Sequence, residues 1–128
     1  MAATGAVLAS PPVDAEQALA DLMEISTQVE SAVVLDEDGS VAASSLRRAE
    51  QAEALAAAAR EALAAADVVA ADRGTALTQL EAATREGTFF VVREAGRTVA
   101  ATTACGPPAG LVLYDLRTCL RAVDEVHA

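Results

Sequence analysis

Few side chains in this sequence are of a type that does chemistry, and their spacing suits it poorly. Cys105 precedes Gly106-Pro107-Pro108, and His127 is the only histidine. A thiol and an imidazole act as nucleophile and base when held within hydrogen-bond reach. His127 is the penultimate residue, where chains are weakly tied down, so no such pair is expected. Asp36, Glu37 and Asp38 stand together before Gly39 and invite a Ca2+ reading. An EF-hand loop with glycine at its sixth position needs Asp at its first, and Val34 occupies that place. A solvated turn is the expectation. Arg47 and Arg48 adjoin a helical stretch. Arginine can stabilise the charge of phosphoryl transfer, but the preferred reading is an exposed pair at a helix entrance, slightly unfavourable to the helix dipole. Glu24 and Glu30 are too scattered for an acid/base pair. Tyr114 is read as packed with its hydroxyl at the rim. No catalytic residue, metal ligand or cofactor-binding residue is assigned, and the chain is read as non-enzymatic.

Composition narrows the classes further. The 128 residues are the size of one domain. Hydrophobic residues make up 53% and aromatics 2%, so a core must be built from Ala, Val and Leu, with Phe89 and Phe90 as its largest pieces. The net charge is −10, and all nine basic residues are arginines. An acidic chain without a basic stripe repels phosphate backbones and anionic lipid, so neither nucleic acid nor membrane is an expected partner. Without lysine there is no P-loop, no Schiff base and no PLP anchor. Any involvement with nucleotides is expected through another protein that binds them. Low aromatic content also argues against a ligand-sensing pocket. Cys105 and Cys119 match neither a disulfide framework nor a zinc spacing, and fit free thiols in a reducing cytoplasm. Met1 to Ser10 lacks a basic n-region and reads as a tail rather than a signal peptide. Residues 1–13 are expected to be a disordered tail and 14–126 a single domain.

The elements follow from punctuation and period. Asp14 is a helix cap, and Leu19, Leu22, Met23 and Val29 recur at helical spacing through about Gln28. Val33 to Leu35 is a β-branched strand, Asp36 to Gly39 a tight turn, and Val41 to Ser45 a returning strand. Arg48 to Asp67 is a long alanine-rich helix. Its wheel gathers Ala52, Leu55, Ala56, Ala59 and Leu63 on one face. The opposite face holds Ala54, Ala58 and Ala65 with Arg47, Gln51 and Glu61. Small residues on both sides permit close packing on the sheet and on a partner; alternatively, alanine serves helix propensity alone. Thr75 to Ala83 is expected as an edge strand, with Leu77 and Gln79 on one face and Thr78 and Leu80 on the other. Phe89 to Val92 is the strongest strand, and Gly96 turns it into Thr98 to Ala104. A last helix from Gly110 to Val126 carries an apolar stripe of Leu113, Leu116, Leu120 and Val123, with Arg117 and Arg121 facing out. The order α-β-β-α-β-β-β-α, with tight turns between strands, predicts an α/β three-layer sandwich on a five-stranded, mainly antiparallel sheet.

Val29-Glu30-Ser31-Ala32-Val33-Val34-Leu35-Asp36-Glu37-Asp38-Gly39, the Ala/Leu-rich second helix, Gly87-Thr88-Phe89-Phe90-Val91-Val92 and the closing Gly110-Leu111-Val112-Leu113-Tyr114-Asp115-Leu116-Arg117 carry a resemblance. From Asp14 to Val126 the chain resembles the Roadblock/dynein light chain superfamily. It is most similar to the bacterial branch, which includes gliding-motility regulators of a small Ras-like GTPase. The resemblance implies a profilin-like architecture, with the second helix on one face of the sheet and the first and third on the other. It also implies a cytoplasmic homodimer in which third strands and second helices pair across a two-fold axis. The dimer-interface candidates are then Ala54, Ala58, Ala65, Leu77 and Gln79. Arg47, Gln51 and Glu61 are the candidates for contacting a GTPase or another signalling protein. The competing expectation is a structural adaptor in a signalling or motility complex, with no effect on GTP turnover.

Overall fold

The structure, a computed structural model, describes residues 14–124. The expected tail at 1–13, the end of the last helix at Val126, and His127 lie outside the described residues. The elements are α1 (Ala15–Ile25), β1 (Val29–Leu35), β2 (Val41–Ser44), α2 (Ala49–Asp72), β3 (Gln79–Ala83), β4 (Gly87–Glu94), β5 (Arg97–Ala104) and α3 (Ala109–Asp124). The order matches the one the sequence predicts.

Asp14 caps α1 by accepting the Gln17 N–H at 2.8 Å. This helix ends at Ile25 rather than near Gln28, because Ser26 is already extended (φ −95°, ψ 94°) and Val29 opens β1. The five strands run β2-β1-β5-β4-β3, and every neighbouring pair is antiparallel. Two turns depend on positive φ. Gly39 closes the β1–β2 turn at φ 86°. Ala95 and Gly96 (φ 54° and 85°) join β4 to β5 as a two-residue reversal of the kind that matches strand twist. Gly87 has a different role: a Cβ there would lie 2.2 Å from the Thr103 carbonyl oxygen, so β4 approaches β5 too closely for any side chain.

Strand alternation divides the core into two layers. Val33, Leu35, Val91 and Ala100 face α2, where Ala52, Ala56, Ala59 and Leu63 cover them. Ala32, Val34, Phe90, Val92, Val99 and Ala101 face α1 and α3, meeting Leu19, Leu22, Leu116 and Leu120. The expected split of helices, one against two, is the one observed. Phe90 is fully enclosed, whereas Phe89 is only partly buried beneath α2. On α3 the buried stripe is Val112, Leu116, Cys119, Leu120 and Val123, and Leu113 packs at its margin.

Both cysteines are free; Cys105 is exposed and Cys119 buried. Burial, with a smaller contribution from the charge of Asp21, pushes the Cys119 thiol up to about 12. Since the thiolate is the reactive form, a maleimide at pH 8 will add once to the native chain, at Cys105. It will add twice in denaturant, and mass spectrometry distinguishes the two. Rapid double labelling of the native chain would contradict the buried placement.

Candidate interaction surface

Helix α2 runs from Ala49 to Asp72, well beyond the expected end at Asp67. Ala70 and Ala71 carry it past the β-branched Val68-Val69 pair, and Gly74 (φ 70°) stops it. The added turns alter the outer face. Gln51, Ala54, Ala58, Glu61, Ala65 and Val68 recur every three or four residues and are all exposed. Val68 and Val69 are 72% and 62% exposed, unusual for branched apolar side chains late in a long helix. The inner face is consumed by the sheet, and this outer stripe of small and apolar residues is left exposed on the same helix.

The stripe adjoins an open sheet edge. β3 bonds only to β4. The Arg93 N–H donates to the Thr78 carbonyl at 2.8 Å and the Thr84 N–H to the Gly87 carbonyl at 2.8 Å. In an antiparallel ladder this register turns the main-chain groups of Gln79 and Glu81 outward. Unpaired N–H and C=O groups in a row form a template for another strand.

Arg93 holds the two parts together. Its guanidinium donates to both carboxylate oxygens of Asp67 on α2, at 3.0 and 2.6 Å. It also donates to the Leu77 carbonyl just before β3, at 3.2 and 2.8 Å. A planar fork with five donors suits this double engagement. Farther along α2, Arg60 donates to the Gly39 carbonyl at 2.7 Å and pairs with Glu53. Opposite, Arg121 of α3 binds Glu94 at 2.8 Å, and Arg117 donates to the Gln79 side chain. No local pattern in the sequence marks these pairings. Alternation gives one of the residues its side only: two past Val91, Arg93 falls on the α2 side of β4.

The hydrogen bond from Arg93 lowers the pKa of Asp67. A carboxylate stabilised in the folded state contributes stability above its unfolded value and loses it as pH falls through the folded one. The contribution is therefore complete above about pH 3.8, the ordinary aspartate value, and fades below it. Urea titrations of the native chain and Asp67→Asn should run parallel above that pH. Below it the native chain should lose more stability than the variant. Curves that stay parallel throughout would contradict the clamp.

Of the candidate residues, Ala54, Ala58, Ala65, Arg47, Gln51 and Glu61 are exposed. Gln51, Ala54, Ala58, Glu61 and Ala65 lie along the α2 stripe; Arg47 precedes the helix, where Arg48 is its N-cap and pairs with Glu50 at 3.8 Å. Leu77 and Gln79 do not share a face. Strand β3 begins at Gln79 rather than Thr75, so the alternation assumed for Leu77 does not apply. Leu77 joins Leu80 against the α2 layer, while the Gln79 side chain reaches Arg117 of α3 on the other face. Tyr114 is 63% exposed, outside the core packing expected of it. Among the described residues no cluster of three His, Cys, Asp or Glu could hold a metal ion. No helix among them is long and apolar enough to cross a membrane.

The family model for the Roadblock/LC7 domain matches residues 15–104, from the start of α1 to the end of β5. The chain belongs to the Roadblock/LC7 family. The structure of a Roadblock/LC7 domain from Streptomyces avermitilis is 19% identical, with a TM-score of 0.79 over 88% of this chain and 97% of that one. The gliding protein MglB from Thermus thermophilus is 17% identical, with a TM-score of 0.74 over 93% of each chain. MglB of Myxococcus xanthus is 11% identical, with a TM-score of 0.68 over 88% of this chain and 84% of that one. At these identities the likeness is one of fold. It takes in more of the chain than the family-model match does. No curated protein matches the sequence.

Proposed function

We propose that this Roadblock/LC7 chain forms a cytoplasmic homodimer that binds a small Ras-like GTPase, regulating its GTP turnover or scaffolding it. The observation that carries the reading is the exposed small-residue stripe of α2 beside the open β3 edge, held in one surface by Arg93. Two copies related by a two-fold axis would join β3 to β3 and α2 to α2, removing both the open edge and the exposed apolar face. The interface would use Ala54, Ala58, Ala65 and Leu77, together with the outward main chain of Gln79. Arg47, Gln51 and Glu61 would flank the helix pair as polar contacts for the GTPase. The likeness to gliding-motility MglB structures supports that partner class. The chain contributes no catalytic group in this reading. It acts by biasing the switch segments of the GTPase, which order and disorder with nucleotide state.

The test is retention of small GTPases from native lysate on the immobilised protein, with a non-hydrolysable GTP analogue and with GDP. The retained GTPase is then purified and its hydrolysis rate measured with and without this protein. Retention favouring the GTP analogue supports the reading, and a changed rate selects regulation over scaffolding. Partners that bind regardless of nucleotide, with no GTPase among them, would move the assignment to a structural adaptor.

A further inference from the structure

The face of the sheet opposite α2 carries a second unpartnered feature, separate from the proposed dimer surface. Between α1 and α3 runs an apolar groove of about 170 Å³, with Ala18, Leu22, Cys119 and Ala122 among its lining residues. Ile25 stands at its end and is 69% exposed. Leu111 lies one turn before Asp115 on α3 and is 54% exposed. An apolar groove with an exposed isoleucine at its end is a candidate interaction surface.

The charge around the groove has one sign. Asp21 and Asp115 line it, and no basic residue does. Helix α1 itself carries Glu16, Asp21 and Glu24 and no basic residue. Arg117 and Arg121, the basic residues within α3, are turned toward the sheet by Gln79 and Glu94. The field of Asp21 reaches the groove floor, where it adds to the upward shift of the Cys119 thiol. An acidic rim excludes two occupants on electrostatic grounds. A second copy set groove to groove would oppose Asp21 and Asp115 to their own like charges, and an anionic lipid surface would be repelled.

We propose that the α1–α3 groove docks an amphipathic helix of a partner protein, with apolar residues inward and arginine or lysine along its margins. An apolar channel between two helices accepts side chains spaced i, i+3, i+4 and i+7. The stretch of α1 that lines the groove, Ala18 to Ile25, provides a wall for about two turns of such a helix. Rim charges then select the partner by sign.

The probe is an amphipathic peptide of Leu, Ala and Arg, about fourteen residues long, with a Leu, Ala and Glu counterpart. Each is titrated into the full 15N-labelled chain. The expected result is chemical-shift change confined to α1 and α3, around Ile25, Thr118 and Ala122, with the basic peptide only. Ile25→Ser keeps every charge and should weaken binding about tenfold, and Asp115→Arg should do at least as much. Both positions have solvent-exposed surface, and unchanged melting curves verify the fold. Equal response to the acidic peptide, shifts scattered over the acidic surface, or full binding by Ile25→Ser would each overturn the proposal. The last two results would identify nonspecific attraction to a chain of net charge −10.

Discussion

Replacing Ala58 with glutamate should split the proposed homodimer into single chains without unfolding them. Ala58 lies near the middle of the outer α2 stripe and is exposed. Its side chain touches none of the core that fixes the fold, and glutamate is a good helix former, so circular dichroism should barely change. In a two-fold interface the substitution is made twice. Each new carboxylate enters a seam sized for methyl groups and faces the negative charge of its mate. Like charges juxtaposed in an interface cost several kcal/mol, which raises the dissociation constant at least about a hundredfold. Light scattering at micromolar concentration should report a mass falling toward one chain. Glu61→Ala, removing a native charge from the same stripe, should not weaken the dimer. A folded Ala58→Glu that keeps the mass of the unmodified protein would place the interface elsewhere.

The second large effect concerns the fold itself. Phe90→Ala should cost about 3–5 kcal/mol, the usual range for truncating a buried phenylalanine. Phe90 is 0% exposed, in the layer between the sheet and helices α1 and α3. Its neighbours there are alanines, valines and leucines, and no other aromatic side chain belongs to that layer. None of them is large enough to fill the void. A domain of this size has about 5–15 kcal/mol in total, so the variant approaches its stability limit. Phe89→Ala is the internal control. Phe89 is partly buried on the α2 side, where it packs beside Leu77 and Leu80, and its loss should cost clearly less. Urea denaturation of the pair measures both. Equal midpoints would mean that the two layers are not packed as described.

The physical basis of these predictions also explains which parts of the structure the sequence reveals. Periodicity places Ala52, Ala56, Ala59 and Leu63 on the inner face of α2 because a helix fixes facing by residue count alone. Alternation sets Val33 opposite Val34 and Phe90 opposite Val91, but in apolar runs it does not say which of each pair meets α2. The reading fails where regular structure stops. Leu77 and Gln79 are two residues apart, but Leu77 precedes the strand, and the two side chains pack on opposite faces of the sheet. The extra length of α2 is poorly marked locally, because β-branched Val68 and Val69 weaken the helical signal before Ala70 and Ala71 carry the helix on. The Arg93 clamp, the Arg60 contact with Gly39 and the α1–α3 groove each join residues distant in sequence. Local pattern carries no record of such pairings, apart from the face on which a residue falls.

The central claim is that the α2 stripe and the β3 edge are one surface, covered by a second copy. Sedimentation equilibrium of the unmodified protein over a wide concentration range tests this most directly. One chain weighs 13.0 kDa. The account predicts twice that mass at micromolar concentration, with Ala58→Glu approaching the single-chain value under the same conditions. A single-chain mass for the unmodified protein at every concentration would contradict it.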